Sequence, residues 1–256
     1  MKKILIVLLA VTMASSVMIA GCSNKSDDTS STSNSTSQTD SSSEDNTLSS
    51  EDLEDNQKVE GDFVWEDDKY IVDLSESGAN KKDIVIPKNC QMFLMTDYQS
   101  GKFKSNDNLE SIVFESDDVK DLPSGCFMSD INLKKVELPK KLKKIPEAIF
   151  AGCESLESIE IPSSVTEIES QAFEGTAIKE LKIPESVTSV GEIVFRYTKL
   201  EKLYLPESLT SIDSSFLGWL DDTDSSYKLT VYVKKGSYAD KHFDDYKWSN
   251  ITKEYY

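Results

Sequence analysis

The run Leu156-Glu157-Ser158-Ile159-Glu160-Ile161-Pro162-Ser163-Ser164-Val165-Thr166-Glu167-Ile168-Glu169-Ser170-Gln171-Ala172-Phe173-Glu174-Gly175 changes hydrophobic rhythm partway along. Ile159, Glu160 and Ile161 alternate apolar and polar, the period of a strand buried on one face. Pro162 has no amide hydrogen, so it should end that strand's hydrogen bonding. Val165 and Ile168 then bring the chain back along another side, and Ala172 with Phe173 closes the turn. Gly175 supplies a bend that tolerates positive φ. One such coil cannot bury its own apolar stripe, so it must stack on copies of itself.

Copies are present. Leu133, Val136, Leu138, Pro139, Leu142, Ile145, Ile149 and Phe150 keep the frame, as do Ile178, Leu181, Ile183, Pro184, Val187, Val190 and Phe195. Leu200, Leu203, Leu205, Pro206, Leu209, Ile212 and Phe216 form another copy. An early one without the proline runs through Leu109, Ile112, Phe114, Val119, Leu122 and Phe127. The starts are 24, 23, 22 and 22 residues apart. The expected fold is a β-dominated solenoid of α/β type, a single parallel sheet of stacked 22–24-residue coils with a β cap at each end. Neighbouring strands should lie about 4.8 Å apart. Gly152 and Gly218 repeat the place of Gly175, whereas Arg196-Tyr197 breaks the glycine rule, so the turn is expected to differ there.

The quoted run resembles the BspA-type leucine-rich repeat, and the resemblance spans residues 109–243. It implies a bacterial surface protein that binds host matrix proteins, other microbes or polysaccharides through the sheet face. It also places Cys153 inside the stack, where that family often carries a cysteine. Residues 109–228 are read as five repeats, 229–256 as a C-terminal cap and 61–108 as an N-terminal cap. The stretch 89–108 departs from the family pattern.

Residues 1–60 are of different composition. Lys2 and Lys3 precede a short apolar run, which reads as a secretory signal peptide over residues 1–21. Ile19-Ala20-Gly21-Cys22 resembles the lipobox of bacterial lipoproteins, which implies that Cys22 carries the lipid and anchors the chain at the cell membrane, facing outward. From Ser23 to Ser50, 17 of 28 residues are Ser or Thr and none is aromatic. Residues 22–60 are therefore expected to form a disordered stalk, with too little apolar surface to offset the entropy of ordering. The net charge of −18 excludes nucleic acid as a natural partner and leaves the lipid as the only membrane attachment. Whether the bacterium has one membrane or two stays open.

Catalytic patterns are missing. His242 is the single histidine, and no CxxC, HExxH, glycine-rich phosphate loop or nucleophile turn is present. No enzyme activity and no cofactor are expected. Cys90, Cys126 and Cys153 are expected as buried free thiols, with one pairing left open. Asp221, Asp222 and Asp224 could offer oxygens to calcium, but they lack an EF-hand's glycine and terminal Glu, so a solvated loop is favoured and no metal is assigned.

Outward strand positions are the natural contact surface. One row is Val113, Glu137, Glu160, Lys182, Tyr204 and Tyr232; its neighbour is Ser111, Lys135, Ser158, Glu180, Lys202 and Thr230. Tyr204 and Tyr232 beside Lys182 and Lys202, with Glu160 and Glu137 further along, are the candidate ligand contacts, exposed aromatics near cations being common hot-spot material. Two functions remain in view. One is adhesion to a protein or glycan partner by a lipid-anchored monomer; the other is an envelope scaffold that holds a neighbouring protein near the membrane.

Overall fold

The computed structural model describes residues 57–94, 103–218, 228–246 and 250–256. Cys22 and the acidic loop 221–226 lie outside them, as does most of the expected stalk. The chain opens with an antiparallel meander, β1 (Gln57–Glu60), β2 (Phe63–Glu66) and β3 (Tyr70–Leu74). β1 corrects the extent of the expected disorder, because Gln57–Glu60 pairs with β2 across a turn at Gly61 (φ 62°). The pairing, and Trp65 Nε1 donating to the Glu60 carbonyl at 3.3 Å, hold a segment whose own side chains are mostly exposed. A short helix, α1 (Glu76–Ala79), follows and is capped by the Ser75 hydroxyl.

Stacked coils then run to the last described residue, with about eight in all. Their front strands are β4 (Asp83–Ile86), β6 (Ser111–Phe114), β7 (Lys135–Glu137), β10 (Glu180–Lys182), β12 (Lys202–Tyr204), β14 (Leu229–Val233) and β15 (Ile251–Tyr255). Between β4 and β6 lies β5 (Met92–Phe93), which pairs with β3. On the return side, β8 (Lys144–Ile145), β9 (Glu167–Ile168), β11 (Ser189–Val190) and β13 (Ser211–Ile212) form a second parallel ladder. The second helix, α2 (Tyr238–His242), follows β14 in the last coil.

The parallel solenoid is thus as the repeat implies, but its sheet is not single. The two-residue strands after each Pro and Val or Leu make their own ladder. The front sheet is itself divided, β4-β6-β7 on one side and β10-β12-β14-β15 on the other. Parallel stacking also begins earlier than the recognisable repeats. Ile84 aligns with Ile112 and Ile86 with Phe114, so Asp83-Ile-Val-Ile-Pro87 is a coil of the stack. At the other end Leu229 aligns with Ile251, which adds a coil after β14.

The interior is a column of rings. Phe103, Phe127, Phe150, Phe173, Phe195 and Phe216 stand one per coil, with successive centroids 5.8–6.1 Å apart, and none is more than 3% exposed. The turn beyond each Phe is left-handed. Gly152 (φ 77°), Gly175 (φ 68°) and Gly218 (φ 77°) take it as glycines should. Tyr197 adopts the same conformation at φ 58°, so the turn does not differ in that copy as the missing glycine suggested. The stack imposes its geometry there on a residue that disfavours it.

Candidate functional site

Cys90, Cys126 and Cys153 are all free and buried, which closes the question of a pair among them. Cys153 donates to the Phe127 carbonyl at 3.1 Å, within the stack. Burial pushes the Cys90 thiol up to about 11 and lifts those of Cys126 and Cys153 well above the ordinary range, so none is poised as a nucleophile. His242 Nδ1 lies 2.9 Å from Asp245 Oδ2 at the surface of the last coil. Among the described residues no cluster of His, Cys, Asp and Glu could hold a metal, and no helix is long and apolar enough to cross a membrane.

The front face carries the predicted contacts at their expected registers. Tyr204 lies on β12 beside Tyr232 on β14, with ring centroids 4.4 Å apart and planes 10° apart. Tyr256 meets Tyr204 edge-on at 5.5 Å, donates its hydroxyl to the Leu205 carbonyl at 3.0 Å and takes Lys234 over its ring at 4.2 Å. Tyr204 and Tyr232 thus turn ring faces to one another, and the Tyr256 hydroxyl is taken up by the Leu205 carbonyl. Lys202 pairs with Glu180 at 3.4 Å, and that hydrogen bond raises the lysine's pKa. Lys182 is exposed on β10 between the two groups of predicted residues.

Glu137 and Glu160 lie at the division of the front sheet. Leu156–Ile161 keeps the repeat sequence, yet among the described residues 157–161 exchange no backbone hydrogen bond with either neighbouring coil. Ile159 is consequently only half-buried, where its register mates Val136 and Leu181 are buried. A groove of about 820 Å³ opens here, floored by Val113, Val136 and Ile159. Lys134 and Lys135 stand at one end of the local strands, and Lys88 and Lys140 at the other. Lys135 pairs with Glu137 at 2.6 Å. Lys134 reaches Glu110 at 2.7 Å, and Glu110, also held by Lys82, has its carboxyl pulled down to about 2 by these two lysines. Sequence reasoning found Glu137 and Glu160 but not the groove, because nothing in residues 156–162 distinguishes that coil from the hydrogen-bonded ones.

Leucine-rich-repeat solenoid is the class defined by the stacked parallel coils, their Phe column and this open sheet face. Comparison adds a likeness: residues 96–219 match the BspA type leucine rich repeat region in six copies. Among solved structures, the chain is similar to the pneumococcal vaccine antigen PcpA, with 17% identity and a TM-score of 0.54 over 75% of this chain and 44% of that one. It is also similar to a leucine-rich repeat protein from Bacteroides ovatus, at 19% identity and TM-score 0.46, over 72% of this chain and 55% of the other. A third is the leucine-rich repeat protein of T. pallidum, at 17% identity and TM-score 0.48, covering 74% and 90%. The chain therefore spans about half the length of the Bacteroides ovatus protein and less than half of the pneumococcal one. No curated protein matches its sequence.

Proposed function

We propose that this chain is a cell-surface binding protein, anchored by lipid on Cys22, that recognises a protein or glycan partner through the front face of its solenoid. The open groove at the sheet division carries this reading: it exposes backbone and mixed charge on a fold whose other coils pair with one another. The BspA-type repeats support a place at the surface, and the raised thiol pKa values are those of packing groups rather than reactive ones. Tyr204, Tyr232, Lys182 and Lys202 extend the same face toward the C-terminal end.

Cells displaying the full chain provide the test, with capture of external proteins and glycans as the readout. Glu137→Lys with Glu160→Lys, and separately Tyr204→Ala with Tyr232→Ala, should reduce capture while leaving the amount displayed unchanged. Capture unaffected by both pairs would overturn the face as the site. Envelope proteins as the only crosslinked neighbours would replace adhesion with scaffolding. Labelling with radioactive palmitate should disappear in Cys22→Ala, and persistent labelling would refute the anchor.

A further inference from the structure

We propose that the coil beginning at Leu156 is a hinge on which the two parts of the front sheet move apart and together, with its axis on the return side of the stack. Such motion belongs to the free chain and holds whatever the face binds. Elsewhere on the front, one amide just before each strand donates to the coil before it. Glu110 donates to the Lys82 carbonyl at 2.7 Å, Lys134 to that of Glu110 at 2.9 Å, and Glu201 to that of Lys179 at 2.7 Å. Glu157 and Lys179 hold the same place in their coils, yet among the described residues neither amide finds a backbone carbonyl. Two successive interfaces are therefore unbonded on this flank, and β7 and β10 end separate sheets. The side chains of Glu157, Ser158 and Glu160 add no hydrogen bond or ion pair among the described residues.

The same two interfaces are closed on the other flanks. On the return side, Thr166 donates its amide to the Lys143 carbonyl and Thr188 to that of Thr166, both at 2.9 Å. At the turns, Phe150 donates to Ala172 and Phe173 to Val194, both at 3.1 Å. The rings of Phe150, Phe173 and Phe195 stack across both interfaces at 5.9 Å, and Leu156 and Ile161 are buried. The coil is thus held at its back and interior and lacks main-chain ties only at its front. Rotation about the bonded flank is then the motion that breaks least. Because each coil touches only its neighbours, no distant contact makes good a loose interface. Ile159, half-buried where Val136 and Leu181 are buried, marks the side that opens. Glu137 stands on one side of the hinge and Lys182, Lys202, Tyr204 and Tyr232 on the other, so the opening sets how far apart these groups lie.

Pairs of nitroxide labels on introduced cysteines test the hinge, in a full-length Cys22→Ala chain whose cysteines at 90, 126 and 153 are buried. Lys135→Cys with Lys202→Cys spans three coil steps on the front and crosses both unbonded interfaces. Lys143→Cys with Thr210→Cys spans the same coils on the return side, every step bonded through Thr166 and Thr188. Glu180→Cys with Thr252→Cys spans three bonded steps on the front. Bonded steps of about 4.8 Å put the labelled positions of the last two pairs about 14 Å apart, within reach of dipolar broadening. All six positions are exposed, and melting curves of the labelled chains check that the fold is kept. The distance distribution of the crossing pair should be about twice as broad as that of either bonded pair, since only it contains unbonded interfaces. A crossing pair as narrow as the return pair would overturn the hinge. So would equal breadth in Glu180→Cys with Thr252→Cys, because the whole front would then be soft. Neither result depends on a ligand, so loss of the hinge and loss of the binding face are read separately.

Discussion

Asp130 holds the third place beyond Phe127, a position filled in other coils by Asn106, Cys153, Thr176 and Thr198, all buried. The threonines satisfy themselves, Thr176 Oγ1 donating to the Phe173 carbonyl at 2.9 Å and Thr198 Oγ1 to that of Phe195 at 2.8 Å. Asp130 Oδ1 accepts from the Asn106 amide at 2.7 Å, but Oδ2 is buried with no hydrogen-bond partner in the structure. Burial pushes this carboxyl up to about 8, with Asp107 adding repulsion and the Asn106 bond opposing it. The unfolded chain releases the proton near its ordinary 3.8, whereas the folded chain holds it until about 8. Raising the pH through that window therefore costs stability, and below it the group contributes nothing. Asp130→Asn should stabilise the fold at pH 8 by on the order of 3 kcal/mol and flatten that decline. Parallel pH profiles of the two proteins in urea unfolding would assign the cost elsewhere. Tyr197 is 75% exposed at φ 58°, beneath no packing that needs its ring. Tyr197→Gly should gain about 1 kcal/mol by relieving that backbone, visible as a Tm a few degrees higher; a lower Tm would mean that the Arg196 contact over the ring, 5.1 Å from its centroid, matters more.

Among the elements, the Phe column and the return ladder do the joining. Phe127, Phe150, Phe173 and Phe195 are nearly parallel, with interplanar angles of 11°, 13° and 4°. Each touches a ring above and below, so a loss in the middle severs two contacts. Phe173→Ala should cost about 3–5 kcal/mol through lost burial and the cavity left behind. A shift of the urea midpoint equivalent to less than about 1 kcal/mol would show that the column collapses without penalty. A threonine ladder reinforces the return side: Thr166, Thr188 and Thr210 each donate a hydroxyl to the carbonyl one coil earlier, at 3.3, 3.2 and 3.1 Å. Ser164 does likewise to Leu142 at 2.7 Å.

At the scale of the whole stack, its two ends are treated differently. The first coil adjoins the antiparallel meander β1-β2-β3, whose Phe63 and Trp65 are buried. The last described strand, β15, has a neighbour on one side only. Its inward register position, opposite fully buried Val231, is a lysine. Lys253 reaches Asp240 at 3.0 Å and lies over the Phe243 and Tyr255 rings at 5.3 and 5.9 Å. An inward-pointing charge on an edge strand discourages another strand from adding there. Lys253→Val should therefore promote end-to-end association, seen by sedimentation as a concentration-dependent dimer. A strictly monomeric variant would leave the edge guarded by something other than this charge.

The recurring Leu-x-x-Ile-x-Ile-Pro, the paired Val and Ile, and the Phe of each copy settle the solenoid from sequence alone, because each reports which face of a local segment must be dry. The same residues foretell the outward rows that hold Glu137, Glu160, Lys182, Lys202, Tyr204 and Tyr232, while the place of buried Cys153 inside the stack came from the family resemblance. Asp83-Ile-Val-Ile-Pro87 bore the same signature and was obscured by the long step to Ile112. Only the tertiary structure decides that Tyr197 takes a glycine's turn, that Tyr204 and Tyr232 spend their faces on each other, and that the sheet opens at residues 157–161. Those outcomes depend on how two neighbouring coils place their backbones, a non-local relation that the apolar period of one coil does not encode.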